Sequence, residues 1–266
     1  MIFNLTLAVD KKNRHPLLPF NYQYALSVVI YNIICKADRS YATFLHDRGY
    51  GQKQFKFFTF SDISIPFAIK GDRMLLLAPI ALLRICFHQP DAPQHFVNGL
   101  FIDRELVIQD GRSRIVFYIQ QIENYIPQLH IGEDDLVTAI VEPMSPLVVG
   151  NKKPNDIYRF YSPYELPFIE WLGYSWREKY KVFAGKDATD LDGIMKKMKI
   201  EVLFAQTPPA ERRTTIKYGL PEAHKLRGYT NFRLKLTAPK EMIELALNSG
   251  LGLKNSMGMG CIQLIN

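Results

Sequence analysis

Apolar residues at alternate positions, Phe3, Leu5, Leu7 and Val9, predict an N-terminal strand that Pro16 and Pro19 bring to a stop. The period then lengthens. Between Tyr22 and Ala37, the residues Leu26, Ile30, Ile33, Ile34 and Ala37 fall on one helical stripe, with Val29 at its edge. A shorter helical stretch, Tyr41 to His46, runs into a loop containing Gly49 and Gly51. Alternation resumes at Phe55, Phe57 and Thr59, and strand-like runs follow at 64–69 and 73–77. A helix is predicted around 92–99 and a strand at 114–119.

The second half repeats the rhythm. Residues 136–149 are strand-like, interrupted at Pro143 and Pro146. A helix is predicted over 162–183, with Ser162 as N-cap and Pro163 in the first position. Strands are predicted at 199–205 and 229–238. A helix at 239–247 ends at Asn248-Ser249-Gly250, and a last strand spans 259–265. Each half therefore opens with a strand and a helix and closes with a helix and a strand. That order predicts an α+β fold of two tandem ferredoxin-like (βαββαβ, RRM-like) domains, residues 1–133 and 134–266.

Composition narrows the function classes. The chain has 266 residues, 47% apolar and 22% charged, an ordinary globular balance. The longest apolar run of note, Met74 to Leu83, is too short to span a bilayer. At the N-terminus the charges follow the apolar stretch, which is not the order of a secretory signal. Cys35, Cys86 and Cys261 are odd in number and widely spaced, which argues against a disulfide framework or a structural zinc. A reducing cytoplasm is the expected compartment.

The net charge of +7 is unevenly spread. Residues 1–150 carry 14 charges of each sign, so the whole excess lies in 151–266. The window 196–235 alone holds ten basic and three acidic residues. Tyr218, Tyr229 and Phe232 are interleaved with Arg212, Arg213, Lys217, Lys225 and Arg227. Concentrated positive charge with aromatic faces suits a nucleic acid; a merely solvated basic face is the plainer alternative.

Near the C-terminus, residues 250–260 read Gly-Leu-Gly-Leu-Lys-Asn-Ser-Met-Gly-Met-Gly, the form G-h-G-x5-G-h-G with h apolar. The glycines Gly250, Gly252, Gly258 and Gly260 permit positive φ and close approach of another chain. Their amides, with Lys254, Asn255 and Ser256, are candidates for phosphate contact. A tight helix-to-strand turn is the alternative. A Walker loop is excluded because no Gly-Lys-Ser/Thr follows, and six residues are too few for a dinucleotide fold.

A helix, this glycine pattern and a last short strand together resemble the signature of the RAMP superfamily of CRISPR-associated proteins. Further segments resemble its repeat-processing endoribonuclease branch: Leu18-Pro19-Phe20-Asn21-Tyr22-Gln23-Tyr24 with Ile30-Tyr31-Asn32, then Phe44-Leu45-His46, Lys56-Phe57-Phe58-Thr59-Phe60-Ser61 and Ser145-Pro146-Leu147-Val148-Val149. The resemblance implies a metal-independent enzyme without cofactors. It would cut precursor CRISPR RNA within repeats by attack of the 2′-hydroxyl, leaving a 2′,3′-cyclic phosphate and a 5′-hydroxyl. It assigns the chemistry to Tyr31, His46 and Lys56. His46 would be the general acid, Tyr31 either a base or an orienting group, and Lys56 the positive charge on the phosphorane, with Lys53 as its rival. The implied partners are precursor and mature CRISPR RNA and an interference complex. Monomer and homodimer both stay open, as does recognition of a hairpin or of a single strand. The main alternative is a non-catalytic RNA-binding subunit of the same superfamily, and a general RNA-binding module is the third.

Overall fold

The computed structural model describes residues 1–13, 15–152, 158–185, 193–194, 196–204, 207–219 and 221–265. In the first half the elements are β1 (Ile2–Val9), β2 (Leu17–Pro19), α1 (Gln23–Ala37), α2 (Arg39–Thr43), β3 (Phe58–Phe60), β4 (Phe67–Lys70), β5 (Arg73–Leu76), β6 (Ile80–Phe87), α3 (Asp91–Ile102), β7 (Glu105–Gln109) and β8 (Arg114–Tyr125). In the second they are β9 (Leu136–Pro143), β10 (Gly150–Lys152), β11 (Tyr158–Phe160), α4 (Pro167–Ala184), β12 (Lys199–Phe204), β13 (Ala210–Ile216), β14 (His224–Thr230), β15 (Phe232–Pro239), α5 (Lys240–Ser249) and β16 (Ile262–Ile265). Among the described residues no helix is long and apolar enough to cross a membrane.

Two antiparallel sheets organise the chain. The first has the order β3-β6-β1-β8-β7 and the second β12-β15-β9-β16. In each, the opening strand lies between the third and the last strands of a βαββαβ unit, and β7 adds an edge to the first sheet. This is the predicted tandem ferredoxin-like architecture. Phe3, Leu5 and Leu7 point from β1 into one core with Leu26, Ile30, Ile33 and Ile34 of α1 and Phe96 and Leu100 of α3. Each fully buried Leu or Ile there contributes roughly 1.5–3 kcal/mol. Ile2 and Cys86 face the other way and, with Phe57, pack into the core of the second half beside Val137, Leu245 and Cys261. The two halves thus share buried apolar surface, and the site lies along their junction.

Several boundaries differ from expectation. The long helix of the second half starts at Pro167, not Ser162. The Ser162 amide instead donates to Glu165 Oε2 at 2.6 Å in a preceding turn. The strand expected from Phe55 starts at Phe58, because Phe57 takes a positive φ of 51° and breaks the alternation. Lys56 and Phe58 therefore do not share a strand face. The predicted strand 199–205 is present as β12, with Ala205 outside the described residues. Within the basic window 196–235, residues 210–216 and 224–230 pair as the β13–β14 hairpin.

Candidate active site

Helix α1 carries Tyr31 on the face beside its apolar stripe, with Ser27 one turn earlier. After α2 the chain widens into a π-helical turn, Phe44–Arg48, closed by the Gly49 amide donating to Phe44 O at 2.8 Å. Gly49 has φ 62°, and a Cβ there would sit 2.7 Å from Phe55 O, so the turn can end only on glycine. This turn holds the His46 side chain 70% exposed at the rim of a groove. Tyr50 and Phe55 then exchange backbone hydrogen bonds of 2.8 and 2.9 Å, and the loop so closed brings Lys56 back to His46.

The three predicted catalytic residues line one cavity of about 370 Å³, with Ser27, Asn32, Thr43, Asp47, Ser256 and Met257. The Tyr31 and His46 rings meet edge-on at 5.4 Å between centroids, and Phe58 backs Tyr31 at the same separation. Lys56 Nζ donates to His46 O at 2.6 Å. His46 Nδ1 lies 2.7 Å from Asp47 Oδ1. A protonated Nδ1 donating there leaves Nε2 directed away from the carboxylate. Burial pushes the Tyr31 phenol well above its ordinary range, opposed by a hydrogen bond from the Ser256 side chain. Burial pulls Lys56 down, and Asp47 opposes that shift. Lys53, the rival lysine, is engaged elsewhere: its Nζ donates to Tyr174 Oη at 2.8 Å and pairs with Glu178 at 3.0 Å on α4.

Ser256 and Met257 arrive from the glycine loop of the second half. Ser27 Oγ donates to Ser256 O at 2.6 Å, joining the loop to α1. The expectation for the loop's glycines needs correction. Gly250, Gly252, Gly258 and Gly260 are buried with φ between 67° and 78°. The amides of Gly250, Gly258 and Gly260 donate to Ala246, Asn255 and Pro146 carbonyls, so these three offer nothing to a phosphate. The loop's accessible part is Leu253–Met257, which carries Lys254, Asn255 and Ser256. It borders a second cleft of about 790 Å³ that shares Lys56, Ser256 and Met257 with the first. Burial, then repulsion from Lys217 and Lys152, pulls the Lys254 ammonium down, so positive charge converges on this cleft.

The basic hairpin divides into two roles. Arg213 and Arg227 each reach Glu211 at 2.8 Å, and Lys225 is exposed. Arg212 is half-buried and turned toward the first half of the chain. It pairs with Asp62, which also accepts from Tyr22 Oη and Gln23 Nε2. The hairpin is further tied to the first half by the Thr215 amide on Asn21 Oδ1 at 2.9 Å. Arg212 is therefore an anchor between the halves. Ser27 and Asp47 were not among the predicted residues, although the i, i+4 spacing of Ser27 and Tyr31 places both on one helix face.

Family models described as CRISPR-associated protein Cas6, N-terminal, and CRISPR associated protein Cas6, C-terminal, match residues 17–123 and 131–264. The chain is 26% identical over 267 residues to a CRISPR-associated endoribonuclease Cas6 of Pyrococcus furiosus, covering 99% of this chain and 90% of that one. It is 25% identical over 249 residues to a Cas6 endoribonuclease of Methanocaldococcus jannaschii, covering 92% and 86%. The solved structure of a Cas6-related protein from Pyrococcus furiosus superposes with TM-score 0.76 at 20% identity, covering 100% of this chain and 98% of that one. A second, a CRISPR associated protein Cas6, gives 0.70 at 23%, covering 100% and 99%; both show the shared fold. Matched along both of its halves, the chain belongs to the Cas6 family of CRISPR-associated proteins.

Proposed function

We propose that this chain is a metal-independent endoribonuclease that cuts precursor CRISPR RNA within its repeats. The single observation that carries the reading is the convergence of Tyr31, His46 and Lys56 on one open cavity. The names of the curated relatives, endoribonucleases of the same family, support it. The 2′-oxygen attacks the adjacent phosphorus, the P–O5′ bond breaks, and the products are a 2′,3′-cyclic phosphate and a 5′-hydroxyl. His46 Nε2 gives its proton to the leaving 5′ oxygen. Lys56 supplies positive charge to the phosphorane oxygens. Its raised pKa keeps the Tyr31 phenol protonated, so of its two expected roles it orients the 2′-hydroxyl by hydrogen bonding. The 2′ proton then passes to water in the open cavity.

Residues 1–133 supply the chemistry in this reading, and residues 134–266 grip the strand. Arg213, Lys217, Lys225, Arg227 and Lys254 meet phosphates, while Asn255 and Ser256 lie where the strand enters the cavity. Phosphate contacts position the RNA and base contacts select the repeat. The test is His46→Ala on repeat RNA in single turnover. Cleavage should slow by roughly 10²–10⁴-fold with binding retained. Full activity would leave only the non-cleaving RNA binder.

A further inference from the structure

Lys179 on α4 is 3% exposed, and no step of the cleavage uses it. A buried ammonium is costly unless every donor is met. Here all three are. Nζ donates to Gly250 O and Asn255 Oδ1 at 2.7 Å and to Ser249 O at 3.2 Å. Ser249 is the last residue of α5 and Gly250 its C-cap, where the helix dipole favours a cation. Asn255 passes the constraint on. Its Nδ2 donates to Leu251 O at 2.8 Å and to Met259 O at 3.0 Å, bridging both arms of the glycine loop. Two of the signature glycines make room for that amide. A Cβ on Gly250 or Gly260 would stand 2.8 or 2.9 Å from Asn255 Nδ2. The next residue, Ser256, accepts from Ser27 Oγ through its carbonyl at 2.6 Å and lines the cavity together with Tyr31.

We propose that Lys179 is a positioning residue of the cleavage site: through Asn255 it sets the glycine loop so that Ser256 docks on Ser27 and shapes the cavity in which Tyr31 meets the scissile ribose. The inference rests on the cleavage reading above. Lys179 borders the larger cleft with its three donors taken by protein acceptors, and its effect falls on the chemical step. Ser256 displaced by about 1 Å would break its bond to Ser27 and reshape the cavity wall beside Tyr31, and a misplacement of that size costs up to ~10²-fold in rate.

The experiment compares wild type, Lys179→Met, Asn255→Ala and His46→Ala on repeat RNA below their melting temperatures. Lys179→Met should slow single-turnover cleavage about 10–100-fold while leaving the Kd for repeat RNA unchanged. A purely structural lysine would lower the Tm and leave the rate of the folded enzyme alone. A folded Lys179→Met variant cleaving at the wild-type rate overturns the proposal. Should that variant not fold, Asn255→Ala decides, because it cuts the same link outside the buried ammonium. It must slow cleavage too, and a wild-type rate overturns the proposal. Hydrogen exchange supplies a readout independent of cleavage. The amides of Gly250, Leu251, Gly258 and Gly260 are internally bonded and should exchange faster in Lys179→Met; unchanged exchange also counts against the clamp. A wild-type protein inactive on repeat RNA defeats the cleavage reading alone, and exchange then judges the clamp.

Discussion

Gly258→Ala perturbs the site from outside it. Gly258 has φ 77°, and a Cβ there would lie 2.3 Å from Phe60 Cε2 and 2.7 Å from Phe60 Cζ. Ordinary carbon–carbon contact needs about 3.5 Å, so roughly 1 Å of separation is missing. Phe60 cannot supply it: the ring is fully buried on β3. The loop must move instead. The left-handed backbone costs an alanine ~1–2 kcal/mol, and the overlap costs ~1–3 kcal/mol. Together these lower the stability by about 2–5 kcal/mol. The displaced segment carries Ser256 and Met257 into the cavity of Tyr31 and His46, so the rate falls as well, by up to ~10²-fold. Urea unfolding and single-turnover cleavage read the two effects. Gly111→Ala is the control, since its Cβ would meet nothing within 4 Å. A Gly258→Ala protein that unfolds and cleaves like the control refutes the reasoning.

Three further outcomes are expected. Lys56→Met should slow cleavage ~10²–10³-fold, whereas Lys53→Met, which loses an exposed contact with Tyr174 and Glu178, should change it little; the reverse ranking in single-turnover assays contradicts the assignment. Arg212→Met should lower stability by about 1–3 kcal/mol and show coupling to Asp62→Asn in a double-mutant cycle of unfolding free energies, while additive effects would return Arg212 to the RNA-facing set. Burial pulls Lys179 down to about 7 from its ordinary 10.5. Below pH 7 both folded and unfolded chains carry its proton, and this group adds no pH dependence. Between about 7 and 10.5 the unfolded chain binds the extra proton, so this group makes stability rise with pH. Denaturant titrations should show wild type gaining on Lys179→Met across that window; parallel curves contradict the shift.

What the chain reveals of its own fold depends on contrast between faces. Helix α1 was legible because Leu26, Ile30, Ile33 and Ile34 stand apart from Tyr24, Tyr31 and Lys36. Strand β6 was not, since Ile80 and Leu82 are exposed yet as apolar as the buried Ala81 and Leu83, and the alternation vanishes. The hairpin hid for the opposite reason. Glu211, Arg212 and Arg213 follow one another as charges, and only the fold sends Arg212 inward to Asp62 while Arg213 stays outside. Tyr31, His46 and Lys56 were singled out by the family resemblance of three local segments, and only the fold brings them to one cavity. Lys179 was invisible: on an amphipathic helix a lysine reads as surface, and its partners lie some 70 residues away. The glycine spacing was legible, but its cause was not. Asn255 and Phe60 are what those glycines accommodate.

A repeat RNA carrying a single 2′-deoxy nucleotide at the scissile position tests the central claim most directly, with the all-ribose strand beside it. The account predicts that the wild-type protein binds both strands equally, cuts only the ribose strand, and leaves a cyclic phosphate on it. Cleavage of the deoxy strand at that position, or a 5′-phosphate on the downstream product, would contradict it.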